Sequence, residues 1–308
     1  MKLRTKVLPY FFVCCLAVNS SAFASSTTTT TQTHRVTHHA HKHVQKHTHK
    51  HKYKYGYGKY KGESDYKQLV APVKSANHFE VIGGLGIAKL NAGNGELGVT
   101  SSETDKLVQT NSSSWNTFGA QLGAGYVYYM RGAQQYADHV QYFPSIEPEL
   151  NLYYLSSNSI KGNVWRFNNS NFNQLTYDIP LHSTRLMLDA ALTLASYKRF
   201  SVYAIGGIGN AWNRTSYSDV DGANTPCPDQ RLSLGSHNNS NFAWEAGAGL
   251  TFAFNNRINL SAEYLYTNLG RIKTSGSGNS GLITAPVISP AHFNLKTQTA
   301  LLALHIAL

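Results

Sequence analysis

Residues 242–267 form two segments in which apolar and polar residues alternate, joined by Asn255 and Asn256. In the first segment every second residue from Phe242 to Phe254 is apolar, and the residues between them are small, polar or charged. A period of two is typical of a β-strand, because successive strand side chains point to opposite faces. A two-residue asparagine turn, which tolerates positive φ, favours a tight hairpin. The segment therefore predicts a two-faced antiparallel hairpin with all its charge on one face.

The same alternation predicts eight strands after residue 77. Their expected bounds are 78–89, 115–129, 145–157, 174–195, 200–213, 242–254, 257–268 and 295–308. The connections alternate between long and short, and only the second one is intermediate in length. A barrel in an outer membrane has an even number of strands, long loops outside and short turns inside. We therefore expect an all-β fold over 77–308: an eight-stranded antiparallel up-and-down transmembrane β-barrel.

Alternation alone does not tell which face of the barrel meets lipid. A soluble barrel of the lipocalin type also alternates, but its apolar side chains point inward and its charges face water. Here the polar faces carry few charges and many glycines, and the apolar faces end in aromatic residues such as Phe79, Trp244 and Tyr266. No lysine or arginine lies centrally on an apolar face, where it would cost about 2–4 kcal/mol in a bilayer. These features favour a barrel whose apolar face meets lipid.

The N-terminal residues resemble a secretory signal. A basic start, an apolar run from Leu8 to Val18 and the small residues Ala22 and Ala24 predict a signal peptide over 1–24. The alternative is a lipoprotein acylated at Cys14 or Cys15, although the sequence before these cysteines is a poor lipobox. The run is too short to span a bilayer, which needs about 20 apolar residues.

The net charge of +11 is concentrated before the predicted barrel. Residues 25–76 carry ten bases and two acids, whereas residues 77–308 carry fourteen of each. Nucleic-acid binding by the barrel therefore has no electrostatic support. After removal of the signal peptide Cys227 would be the only cysteine, so no intrachain disulfide is expected. Cys227 is either an incidental loop thiol or a site of intermolecular pairing.

Residues 25–76 form a His/Lys-rich segment of low complexity with almost no aliphatic residues, and we expect a disordered periplasmic tail. Imidazoles at close spacing can ligate Zn, Cu or Ni weakly, and no other cofactor is expected. The tail could equally contact anionic lipid heads or cell-wall polymer, or serve as a solvated spacer. The candidate ligands follow His34 and are His38, His39, His41, His43, His47, His49 and His51.

Several charged residues are predicted to face the barrel lumen. They are Glu80, Glu147, Glu149, Arg185, Asp189, Glu245, Arg257, Glu263 and His305. Side chains fill the interior of an eight-stranded barrel, so these charges are expected to form a polar network that fixes the strand register. A narrow conductance is the alternative. We expect no enzymatic activity, because the nearest candidate pair, His182 and Ser183, is adjacent on a strand and faces opposite ways.

The chain resembles the outer-membrane β-barrel superfamily that includes the outer membrane protein A and opacity-protein types. The resemblance is specific over 244–252 and 260–270, which look like the closing hairpin, and looser over 146–150 and 203–209. Family members usually end with Phe or Trp, which the assembly machinery reads, whereas this sequence ends with Leu308.

The resemblance implies a Gram-negative outer-membrane protein that serves a structural or adhesive role at the surface. We expect a monomer that contacts membrane lipid, lipopolysaccharide and the barrel assembly machinery. Its Ser/Asn/Gly/Thr-rich loops would meet host or cell-wall partners. The expected loops are near 90–114, 157–173, 214–241 and 269–294. Two alternatives stay open: a porin-like narrow channel, and a barrel that carries a metal-binding tail.

Overall fold

The computed structural model describes residues 73–74, 76–100, 103–221, 231–280 and 289–308. The expected signal peptide over 1–24, the tail histidines and Cys227 lie outside the described residues. Within the described residues no helix is long and apolar enough to cross a membrane.

Eight long strands form a closed antiparallel ring. They are β1 (His78–Asn91), β2 (Thr117–Tyr129), β3 (Ser145–Trp165), β4 (Leu175–Tyr197), β5 (Phe200–Asp221), β6 (Leu232–Ala253), β7 (Ile258–Lys273) and β8 (Ser289–Ala307). Each strand pairs with the next along the chain. β8 pairs with β1 from Lys296↔Asn91 to Ala307↔Glu80, which closes the ring. The predicted barrel and all eight of its strands are therefore present.

The two ends of the barrel differ. We call the end with the connections 130–144, 198–199 and 254–257 the turn end, and the opposite end the loop end. At the turn end, Gln141–Tyr142 pairs with β4 and Val73–Lys74 pairs with Gln134–Gln135. The intermediate second connection is therefore partly ordered into short strands.

Several strands extend further at the loop end than the sequence predicts. β3 runs to Trp165, β5 runs to Asp221 and β6 begins at Leu232, so much of the predicted loops is sheet. A further hairpin of two strands, Asn94–Gly98 and Thr104–Gln109, is inserted between β8 and β3. Gly278–Ser280 pairs with β6. Two short 3-10 helices, Arg166–Asn168 and Ser170–Phe172, connect β3 to β4. We call the sheet beyond the lipid-facing part of the barrel the loop-end extension.

The prediction of a two-residue asparagine turn with positive φ is wrong. The connection from β6 to β7 has four residues, 254–257, and Asn255 caps it by accepting backbone hydrogen bonds from Arg257 (2.8 Å) and Ile258 (2.9 Å). An asparagine side chain that bonds to backbone two or three residues ahead forms such a turn without positive φ. Positive φ occurs instead at Lys198 (53°), in the two-residue turn between β4 and β5.

An apolar band surrounds the outer face of the ring. Phe200, Ile208 and Trp212 expose their side chains along β5, and the next outward residue, Arg214, is charged. The band is bordered by aromatic pairs, with Phe200 against Phe252 (5.0 Å between centroids) at the turn end. Large apolar side chains on a barrel exterior are stable in lipid but not in water. Further exposed members of the band are Phe79, Leu85, Ile87, Leu122, Leu150, Leu152, Leu188, Trp244, Leu250, Tyr264, Leu302 and Leu304.

Candidate functional site

Three strands bring Glu80, Glu147 and His305 together inside the turn end of the barrel. Their inward direction follows from the two-residue period, and the register places His305 beside Ile82 on β1. One ligand atom from each of the three side chains lies within 4.8 Å of the others. His305 Nδ1 contacts Glu80 Oε1 closely, and His305 Nε2 lies 3.0 Å from the hydroxyl of Ser261. This group is the turn-end cluster.

His78 lies at the mouth of the same cluster. Its Nδ1 is 3.0 Å from the backbone carbonyl of Ala76, and its Nε2 is 3.8 Å from Glu80 Oε2. His78, Glu80, Glu147 and His305 all line one cavity of about 120 Å³. Residues of the turn-end connections also line this cavity, so it lies at the turn end of the lumen.

A second polar group occupies the middle of the lumen around Arg185. Its Nε lies 3.2 Å from Glu245 Oε2, with both side chains almost fully buried (1% and 0% exposed). The guanidinium also lies 4.2 Å from the centre of the Tyr153 ring. Glu245 accepts a hydrogen bond from the Thr267 hydroxyl (3.0 Å). Side chains of β3 and β7 therefore contact the pair, which joins β4 to β6.

Asn151 connects two further interior carboxylates, Glu149 and Asp189. Its amide nitrogen donates to Glu149 Oε2 (2.7 Å) and to Asp189 Oδ2 (2.9 Å), and its Oδ1 accepts from Gln121 (3.2 Å). These side chains fit because glycines face them from the adjacent strands. A Cβ at Gly207 would overlap the Asp189 carboxylate. The inward glycines of the sequence therefore provide space for interior polar side chains.

Negative charge predominates among the described interior residues. Six carboxylates point inward, and the ionised cations among the inward residues are Arg185 and, when protonated, His305. Buried carboxylates must be paired with a cation, protonated or hydrogen-bonded, because desolvating a bare charge is expensive. The carboxylates are Glu80, Glu147, Glu149, Asp189, Glu245 and Glu263.

Toward the loop end the interior changes from polar to apolar. Tyr177 stacks on Tyr217 with 6.2 Å between ring centroids, and Phe293 lies 6.1 Å from Tyr177. Close packing of large side chains leaves no wide aqueous path. The described part of the loop-end extension is therefore closed by a hydrophobic core. Its other members are Leu90, Leu97, Leu107, Ile160, Val164, Leu175, Ile179, Leu181, Leu232, Leu234, Leu269, Ile272 and Leu295.

Acidic residues also lie at the edge of this core, outside the lipid-facing band. Asp219 accepts hydrogen bonds from the Tyr217 hydroxyl (2.5 Å) and the Leu232 amide (3.1 Å). Burial nevertheless raises the pKa of Asp219 to about 7. Burial likewise raises the pKa of Asp105 to about 6, although the Phe167 amide donates to it (3.1 Å). Protonation of these two groups therefore stabilises the extension.

In contrast to the acidic lumen, the outer surface of the extension exposes more basic than acidic residues. Arg214, Arg271, Lys273 and Lys296 are exposed, whereas Glu96 is the exposed acid among the loop-end residues with described burial. Arg271 and Lys273 on β7 pair with Asn294 and His292 on β8, next to Lys296. The three therefore lie near one another on adjacent strands, and we call them the basic patch.

The structure places the predicted lumen residues as follows. Eight of the nine point into the barrel: Glu80, Glu147, Glu149, Arg185, Asp189, Glu245, Glu263 and His305. Arg257 does not, because it belongs to the four-residue turn and is exposed. His182 is exposed and Ser183 is buried, so they face opposite sides of β4.

Sequence reasoning did not assign His78 to the interior. A usable signal existed, because His78 precedes the predicted inward Glu80 by two residues and therefore lies on the same strand face. Ser261 and Thr267 lie on the strand face that the alternation predicts to be polar, but the pattern does not give their hydrogen bonds to Glu263 and Glu245.

The comparison with family models agrees with this architecture. Residues 141–288 match the family model described as the outer membrane protein beta-barrel domain. No curated protein matches the chain.

Solved structures of outer-membrane proteins are also similar to the chain. The attachment invasion locus protein Ail of Yersinia pestis has 11% identity and a TM-score of 0.34, and the match covers 76% of this chain and all of that protein. The protein OprG of Pseudomonas aeruginosa has 14% identity and a TM-score of 0.36, with coverage of 75% and 96%. The outer membrane protease OmpT of Escherichia coli has 6% identity and a TM-score of 0.40, with coverage of 76% and 99%. The match to this family model and the closed eight-stranded ring both agree with the resemblance of the chain to outer-membrane β-barrel proteins.

Proposed function

We propose that this outer-membrane barrel is a non-enzymatic surface protein whose loop-end extension adheres to anionic polysaccharide. In this proposal the loop end faces the outside of the cell and the turn end, with the preceding tail, faces the periplasm. The barrel anchors the extension in lipid, and the extension presents the contact surface.

One observation carries the proposal: the strands continue past the apolar band into a packed extension. β5 continues from Trp212, at the edge of the band, to Asp221. At about 3.3 Å per residue this segment is about 30 Å long along the strand. A surface built on hydrogen-bonded strands with its own core keeps its side chains in fixed positions, which favours specific contact.

The charge of that surface supports an anionic partner. Arg271, Lys273 and Lys296 are exposed on adjacent strands, and no salt bridge engages them within the described residues. Clustered bases attract polyanions and bind sulfate and carboxylate groups through charge-assisted hydrogen bonds. The apolar core under the extension argues against the alternative of an open channel. The opposite orientation of His182 and Ser183 supports a non-enzymatic role.

The test compares two triple variants on intact cells that display the barrel. Arg271→Gln/Lys273→Gln/Lys296→Gln removes three positive charges from the loop end. Binding of cells to immobilised dextran sulfate should weaken about tenfold, because three exposed ion contacts contribute about 0.5 kcal/mol each. Neutral dextran serves as the ligand control.

The matched variant Lys198→Gln/Arg199→Gln/Arg257→Gln removes the same charge from exposed residues of the turn end. It should leave cell binding unchanged, because the turn end is inaccessible from outside. Equal binding by both variants and the unmodified protein would refute the adhesive role of the basic patch. Weaker binding by the turn-end variant alone would show that the turn end, and not the loop end, faces the outside of the cell.

The tail remains a separate proposal. Weak Zn, Cu or Ni binding by the histidines of 25–76 rests on the sequence pattern alone. Calorimetry on the intact protein and on a deletion of 25–76 tests it, and equally weak binding by both would remove it.

A further inference from the structure

We propose that the turn-end cluster is a binding site for one divalent transition-metal ion of the Zn²⁺ class, held by Glu80, Glu147 and His305 with His78 at its mouth. This site is distinct from the histidines of the tail, and it goes beyond the adhesive function proposed above. The ion would enter from the turn end through the cavity that these residues line.

The donor set fits such an ion. Zn²⁺ is bound by imidazole nitrogen and carboxylate oxygen at about 2.0–2.2 Å, often with a water at a remaining position. The candidate atoms of Glu80, Glu147 and His305 lie within 4.8 Å of one another, so small rotations would bring all three to one ion. The cavity of about 120 Å³ has room for the ion and water ligands.

His78 is held in the tautomer that a metal ligand requires. The backbone carbonyl of Ala76 accepts the hydrogen of His78 Nδ1 (3.0 Å), which in the neutral imidazole leaves a lone pair on Nε2. This Nε2 is buried, has no hydrogen-bond partner among the described residues, and faces Glu80 Oε2 at 3.8 Å. A carbonyl that orients one imidazole nitrogen while the other is available is the usual arrangement around metal-binding histidines.

Three further polar atoms in or beside the cavity have no hydrogen-bond partner among the described residues. Two of them line the cavity: Glu147 Oε1 and the hydroxyl of Tyr203, a residue that is only 6% exposed. The third is Glu263 Oε2, behind His305. Unsatisfied buried groups are costly, and they converge here beside like-charged carboxylates. A dication would compensate both the unpaired oxygens and the excess negative charge.

The experiment uses the full chain purified from outer membranes. The eight tail histidines are replaced by asparagine so that the barrel site can be measured alone. Zinc titration by calorimetry should then show one equivalent, and saturating Zn²⁺ should raise the unfolding temperature. Glu147→Gln and His305→Gln should each weaken that equivalent at least tenfold, because each replaces a carboxylate or imidazole ligand with an amide, which binds Zn²⁺ poorly.

Asp189→Asn is the matched control. It removes one interior negative charge and preserves side-chain shape, but Asp189 does not line the cavity. It should bind Zn²⁺ as the parent does. The heat-dependent gel mobility of every variant, measured without metal, verifies that the barrel is folded.

Two results would overturn the site. One is the absence of zinc binding in the chain that lacks tail histidines. The other is an unchanged affinity in folded Glu147→Gln and His305→Gln. A purely structural cluster predicts the second result, because relief of carboxylate repulsion in Glu147→Gln would stabilise the barrel without any dependence on zinc.

Discussion

The buried pair of Arg185 and Glu245 provides the sharpest test of the barrel interior. Arg185→Met removes the only permanent cation among the described inward residues and keeps a long apolar side chain beside Tyr153. Glu245 then remains buried with the Thr267 hydroxyl as its hydrogen-bond donor. The variant therefore tests whether the charge of Arg185, more than its volume, stabilises the barrel.

The expected loss follows from the distance. Two unit charges 3.2 Å apart attract by about 5 kcal/mol at an effective dielectric of about 20. Measured losses on removing one partner of a buried pair are about 3–5 kcal/mol. Loss of the cation–π interaction with Tyr153 adds about 1 kcal/mol. We expect Arg185→Met to reduce the free energy of unfolding by about 4–6 kcal/mol. The double variant Arg185→Met/Glu245→Gln also removes the charge that the single variant leaves unpaired at residue 245, so it should regain at least half of that loss.

Urea unfolding in phospholipid vesicles, followed by tryptophan fluorescence, measures these differences, because Trp212 and Trp244 are exposed on the outer face of the barrel. Glu245→Gln completes the double-mutant cycle. The reasoning is refuted if Arg185→Met costs less than about 1 kcal/mol, or if the double variant is no more stable than the single one.

Three other outcomes are expected. Leu188→Arg places a charge on the lipid-facing band (Leu188 is 60% exposed), and it should destabilise the barrel by about 2–4 kcal/mol in the same unfolding assay. Because the folded-state pKa of Asp219 is raised to about 7, its stabilising effect is complete below the unfolded pKa of about 4 and is lost as pH rises through 7. Amide exchange near Tyr217, corrected for intrinsic rates, should thus be slower at pH 5 than at pH 8, and Asp219→Asn should flatten this difference. Planar-bilayer recordings should show no steady conductance, because Tyr177 and Phe293 close the interior; reproducible steps would contradict that packing.

Strand existence and order were predictable because each strand carries its own alternating pattern. The signal was strongest inside the lipid band, where apolar residues alternate with glycine, threonine or glutamate, as in Trp244 to Phe252. It was weaker beyond the band, where inward residues such as Ile160 and Val164 alternate with Ser, Lys and Asn. Ser/Asn-rich segments resemble loops in composition, so the extension of β3, β5 and β6 was not predicted.

The candidate site could be predicted only in part. The alternation of inward and outward side chains along each strand gives the inward direction of Glu80, Glu147 and His305. Their proximity, however, depends on the stagger between β1, β3 and β8. That stagger is set by strand pairing across the closed ring, which a local pattern does not contain. The prediction for Arg257 was wrong for a different reason. The predicted strand began at residue 257, one residue before β7 begins, so the alternation placed a turn residue inside the barrel.

One pattern in β4 would have located the edge of the membrane from sequence. Between Leu175 and Leu181 the odd-numbered residues are apolar, whereas between Leu186 and Leu194 the even-numbered residues are apolar. The structure shows no bulge in this part of β4, and its odd-numbered residues stay inside from Leu175 to Ala191. The apolar face therefore changes because the surroundings change: water outside favours an apolar interior, and lipid outside favours an apolar exterior. The change falls near Thr184, which pairs with Trp212 at the edge of the apolar band. The same reversal occurs in β8, from inward Phe293 and Leu295 to outward Leu302 and Leu304. When the apolar positions change from odd to even within one unbroken strand, the pattern therefore indicates a strand that continues out of the bilayer, and not a loop.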